Sequence, residues 1–124
     1  MRWKNFTPSE FACTHCGENK IKYGLIDTLQ DIRDEVGSPL RISSGYRCPH
    51  HPIEARKATP GEHSEGTCAD VAVSHETAWH VLKAAMAHPR VTGVGVNQRG
   101  TGRFIHIGIG EGKTGRPRPR VWSY

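Results

Sequence analysis

The sequence predicts a small α+β domain in which a short, mainly antiparallel sheet is covered by two principal helices. Three patterns carry that expectation. Leu25, Ile26, Leu29, Ile32 and Val36 recur at three- and four-residue steps, the spacing of one helix face. A second helical stretch follows at 76–87. Runs of strand length occur at 40–43, 69–73, 93–96 and 103–109, and the turn-rich link 97–102 suits a hairpin between the last two. With 124 residues, 35% of them hydrophobic, the chain has material for one core, so a single domain over 1–124 is expected.

The elements follow in order. Thr7-Pro8-Ser9-Glu10 has the form of a helix start, with Pro at the first helical position. Cys13-Thr14-His15-Cys16-Gly17 reads as a tight knuckle. In the helix over 23–36, Asp27, Asp31, Arg33, Asp34 and Glu35 fill the polar face. Gly37 ends it and Pro39 prevents its resumption. After the strand Leu40-Arg41-Ile42-Ser43, the chain turns through Ser44–Arg47 into a loop at 48–52. Residues 53–62 are polar, with a Pro60-Gly61 turn, and are expected to be mobile unless a site organises them.

In the next strand Ala69, Val71 and Val73 face one way, and Asp70 and Ala72 the other. Ser74 is the expected N-cap of the second helix, in which Trp79, Leu82, Lys83 and Met86 share a face and Pro89 is the stop. In 103–109, Ile105, Ile107 and Ile109 form the core side, while Phe104, His106 and Gly108 look away. If these strands are sheet neighbours, Asp70 and His106 open into one cleft, and His63 enters from the loop before the first.

Composition narrows the function. No stretch approaches the ~20 apolar residues of a membrane span. Met1-Arg2-Trp3-Lys4-Asn5-Phe6 lacks the apolar region of a secretory signal, so synthesis in the cytoplasm is expected. The net charge of +5, with Lys113, Arg116, Arg118 and Arg120 near the C-terminus, suits a polyanion or simply a well-solvated surface. No aromatic–basic signature or tandem Cys/His finger is present, so no specific nucleic-acid binding is expected, and a monomer is. Cys13, Cys16, Cys48 and Cys68 leave two readings open: reduced thiols, or a second, structural metal with His15 as a further donor.

His63, Asp70 and His106 are the residues with chemistry. Each alone has an ordinary reading as a loop or strand residue. Together, with Gly66 between the first two, they offer the imidazole and carboxylate donors of a catalytic zinc, which takes three protein ligands and keeps one position open.

Three segments carry a resemblance: Arg41-Ile42-Ser43-Ser44-Gly45-Tyr46-Arg47, His63-x-x-Gly66-x-x-x-Asp70 and Phe104-Ile105-His106. From about Phe6 to Trp122 the chain resembles the M15 zinc peptidases, the D-alanyl-D-alanine carboxypeptidases and phage L-alanyl-D-glutamate endopeptidases, in their compact single-domain form. The resemblance implies the fold of that group, shared with hedgehog domains. It implies Zn2+ held by His63, Asp70 and His106, and Arg47 as the arginine that holds substrate and steadies the oxyanion. It implies hydrolysis of the peptidoglycan stem peptide at the cell wall, after release by phage lysis or delivery on a phage particle.

The chain departs from the family pattern at four positions. Gly61 stands where many relatives have Ser, and Cys68 where Ala is usual. Arg103 replaces the acidic residue that serves as general base in several members, and Gly108 replaces an Asp of others. The base is then to be sought among Glu62, Glu65, Glu76, Glu111, His50, His51 and His75. Cys48 and Cys68 are near enough to the site segments for a disulfide or shared ligation to be open. A zinc-binding structural module of a phage particle, with weak or no activity, is the alternative function.

Overall fold

The computed structural model describes residues 2–57 and 61–124. The expected α+β class is found: a mixed, mostly antiparallel five-stranded sheet with two main helices. The strands are β1 (Arg41–Ser44), β2 (Cys68–Ala72), β3 (Gly93–Asn97), β4 (Phe104–Gly108) and β5 (Arg120–Ser123), in sheet order β1-β2-β4-β3-β5. All neighbouring pairs are antiparallel except β3 and β5, which run parallel.

Helix α1 (Tyr23–Val36) buries Leu25, Ile26, Thr28, Leu29 and Ile32. Gly37 closes it in the left-handed region at φ 72°, and its N–H bonds the Arg33 carbonyl. The other main helix, α4 (His75–Ala87), turns Ala78, Val81, Ala84 and Ala85 inward. The face bearing Trp79 and Met86 lies outward, with these side chains 69% and 59% exposed. Small residues at the inner positions let α4 lie close to the sheet, leaving the bulky ones at its rim. Ser74 is the N-cap as expected, though its hydroxyl makes no capping bond. Both helices cover the sheet face formed by Ala69, Val71, Val94, Ile105 and Ile107, which is the main core.

Two stretches differ from the sequence reading. The polar segment after Pro49 contains two short helices, α2 (Pro52–Ala55) and α3 (Glu62–Glu65), in the order α1, α2, α3, α4 along the chain. They form because the His51 ring accepts from the Ile53 N–H, Pro52 sits at the first helical position, and Gly66 supplies a left-handed cap at φ 73°. The turn expected at Pro60-Gly61 lies partly outside the described residues. The basic C-terminal segment holds a strand that the sequence reading does not include. It folds into β5, with Lys113 and Arg116 bound to Glu65 and Arg118 bound to Glu62.

Candidate metal centre

Register places the site. Ser44 lies opposite Asp70, Asp70 opposite His106, His106 opposite Gly95, and Gly95 opposite Trp122, so one row crosses all the strands on the face away from the helices. A bulge between Ile42 and Ser44 brings Ser44 to that row. Gly95 is required there, because a Cβ would fall 2.5 Å from Trp122 Nε1. The indole thus reaches over β3 to within 5.0 Å of the His106 ring.

His63 arrives from α3, and Gly66 is what lets α3 pass into β2. A side chain at Gly66 would strike the Lys20 carbonyl, and its own carbonyl accepts from the Lys22 N–H at 2.9 Å. His63, Asp70 and His106 are all buried and all meet. Asp70 Oδ1 lies 3.4 Å from His63 Nε2 and 3.1 Å from His106 Nδ1.

The other nitrogen of each ring is already committed. His63 Nδ1 is 2.8 Å from the Gly45 carbonyl, which can only accept, so Nδ1 carries the hydrogen. His106 Nε2 is 2.8 Å from Glu62 Oε1 and donates to that carboxylate. The remaining nitrogens, His63 Nε2 and His106 Nδ1, both face the same Asp70 oxygen, and on loss of any proton held there each would offer its lone pair to a metal. This donor set fits a divalent metal, and the outer bonds are the orienting contacts that metal-binding imidazoles require. Cys68 sits on the same face of β2, and its sulfur groups with the nitrogens of His63 and His106 as a further possible donor. Burial pushes its thiol well up, however, which favours the neutral form.

Charge follows the same arrangement. Burial alone would raise the Asp70 and Glu62 carboxyls. Bonds from His106 and His63 bring Asp70 below its usual range, and His106 and Arg118 do the same for Glu62. Burial works to lower His106, but Asp70 and Glu62 on its two nitrogens outweigh it and raise its pKa.

Arg47 is held on three sides. Its Nε donates to Ser44 Oγ at 3.0 Å, one terminal nitrogen meets Glu54 Oε2 at 3.2 Å, and the other meets Asp70 Oδ2 at 3.4 Å. Glu54, on α2, is the buried anchor of this group and also accepts from the Gly61 N–H and Lys57. Burial opposes its charge, yet the Gly61 N–H, Lys57 and Arg47 bring its pKa down to about 2.

The centre opens into a cleft of about 560 Å³. Arg47, Lys57, Arg116 and Arg118 line it together with Phe104, Trp122 and Tyr124. Of the residues considered as a general base, Glu62 alone lines this cleft. Arg103 turns away and donates to the Gly100 carbonyl. Cys48 does not approach Cys68: it groups with Cys13 and Cys16, and all four thiols are free.

The family model described as Peptidase M15 matches residues 4–108. The chain belongs to the peptidase M15 family. A comparison with curated proteins found no match. The matched range holds every residue of the M15 centre named above except those of the C-terminal wall, Arg116, Arg118, Trp122 and Tyr124, which follow it.

The sequence reading offers Glu62 only as one general-base candidate by residue type, and does not mention Glu54. The only signal for Glu62 is its place next to His63. The departure at Gly108 explains its position. A Cβ on Gly108 would lie 2.7 Å from Glu62 Oε1, so the carboxylate occupies the space that an Asp side chain at 108 would claim. Gly110 leaves room for Oε2 in the same way, and that oxygen is buried without a hydrogen-bond partner.

Proposed function

We propose that this M15 chain is a zinc-dependent peptidase that hydrolyses a peptide bond in the peptidoglycan stem peptide and acts at the cell wall. His63 Nε2, Asp70 and His106 Nδ1 would hold the metal. The observation that carries this reading is the convergence of two inward-facing imidazole nitrogens on one carboxylate, with both outer N–H groups already bonded. When bound, zinc supplies a Lewis acid for the scissile carbonyl and acidifies a water molecule.

The remaining work falls to the chain's own residues. Glu62 and the Gly45 carbonyl fix the two ring tautomers. Arg47 holds Asp70 Oδ2 and so aims its carboxylate. A guanidinium has five N–H donors, and the bonds to Ser44, Glu54 and Asp70 leave others for a substrate oxygen. The cationic side chains of the cleft suit the carboxylates of a stem peptide, and Trp122 and Tyr124 give its backbone an apolar wall.

A second reading is a metal-binding module of a phage particle with little activity. It is favoured by the state of Glu62, whose Oε1 is engaged by both His106 and Arg118. Digestion of purified muropeptides by the zinc-loaded protein, with and without chelator, separates the two. Chelator-sensitive cleavage is expected, and product masses will tell D-Ala-D-Ala from L-Ala-D-Glu scission. Absence of cleavage by fully metallated protein would rule out the peptidase.

A further inference from the structure

The geometry points to a second, structural zinc site built by Cys13, Cys16, Cys48 and His15, separate from the centre at His63. The sulfurs of Cys13, Cys16 and Cys48 lie within 4.8 Å of one another. His15 Nδ1 is 3.6 Å from Cys48 Sγ, which brings a fourth donor to the group. Three thiolates and one imidazole are a common donor set for a closed tetrahedral zinc site.

The backbone is shaped for it. Cys13 to Gly17 forms a turn, closed by the Gly17 N–H on the Cys13 carbonyl at 2.8 Å, with Gly17 at φ 77°. Backbone N–H groups are aimed at two of the sulfurs, from Cys48 to Cys13 Sγ at 3.4 Å and from Glu18 to Cys16 Sγ at 3.4 Å. Such donors favour sulfur as thiolate, the form that binds metal. Cys13, Cys48 and Tyr46 also form a small cluster apart from the main core. Zinc binding there requires the three thiol protons to leave to solvent.

The site would staple the N-terminal segment to the turn that serves the catalytic centre. The Tyr46 N–H bonds the Phe11 carbonyl at 2.7 Å, and a Cβ on Gly45 would fall 2.6 Å from Phe11 backbone atoms. That same turn supplies the Gly45 carbonyl to His63 and carries Arg47.

Zinc per chain, measured by native mass spectrometry on full-length protein purified in reductant, tests the site. Cys16 is exposed, so Cys16→Ser disturbs packing little, and it should carry one zinc fewer than the wild type. His106→Ala should lose a different zinc, so the double variant binds none. If only the Cys16-dependent ion is found, this site stands while the proposed function fails. Folded Cys16→Ser with the wild-type zinc count would overturn the proposal, as would a disulfide among Cys13, Cys16 and Cys48. Should Cys16→Ser not fold, zinc-edge X-ray absorption of Cys68→Ala decides. Sulfur scattering at about 2.3 Å is then expected from the cluster alone, and its absence would overturn the site.

Discussion

Removing the carboxylate of Glu62 should weaken zinc binding at the proposed centre without touching any of the proposed ligands. Glu62 Oε1 and His106 Nε2 are 2.8 Å apart, and their side chains are 4% and 5% exposed. Water cannot readily replace the lost acceptor. Loss of such an orienting partner typically costs ~10–100-fold in metal affinity, or ~1.4–2.8 kcal/mol. Burial and charge put Glu62→Ala toward the upper end. The same change leaves Arg118 without its carboxylate, a further loss of about 1–3 kcal/mol in apo stability. Glu62→Gln separates the two effects: its amide oxygen can still accept from Nε2, so most of the affinity should remain. Competition with a chromophoric chelator measures zinc affinity, and urea unfolding of the apo protein measures stability. A folded Glu62→Ala variant within about twofold of wild-type affinity would refute the orienting role.

Other perturbations have equally definite outcomes. Arg47→Lys should keep its zinc but lose on the order of a hundredfold in turnover, because one ammonium cannot reproduce the fork on Ser44, Glu54 and Asp70; unchanged kcat on muropeptides would contradict this. Gly66→Ala should destabilise the fold by roughly 2–4 kcal/mol in urea melts, since it combines a left-handed φ with a clash on the Lys20 carbonyl. Glu54 ties stability to pH. Its folded pKa of about 2 lies below the ordinary 4.5, so its contribution is complete above pH 4.5 and is lost as pH falls toward 2. That contribution is at most ~3 kcal/mol. Unfolding midpoints of wild type and Glu54→Gln should therefore converge in acid, and a constant gap between them would exclude the linkage.

The parts of the molecule legible in the sequence are those that depend on local period. The α1 face was readable because Leu25, Leu29 and Ile32 repeat at helical spacing, and alternation alone put Asp70 and His106 on one side of their strands. What escaped depends on contacts between distant segments. Glu62 takes its meaning from the empty space at Gly108, which no pattern near residue 62 reveals. Glu54 sits in a polar stretch whose short helix is fixed by His51 and Pro52 and then by Arg47. In α4, Trp79 and Met86 share a face, as the spacing indicates, but close packing turned the alanines to the core instead. β5 is four residues long, mostly exposed and preceded by Arg116-Pro117-Arg118-Pro119, so an edge strand there leaves almost no hydrophobic trace.

The position of β5 has a bearing on how such a protein can diversify. The groups that would hold the metal lie between His63 and His106, whereas the outer wall of the cleft, Arg116 to Tyr124, comes from a later stretch of chain attached along one sheet edge. The proposed metal ligands and most of the cleft's outer wall thus lie on separate segments. Wall positions that do not touch the centre, such as Tyr124, can therefore vary freely, whereas Arg118 and Trp122, which meet Glu62 and His106, are tied to the interior row of the sheet.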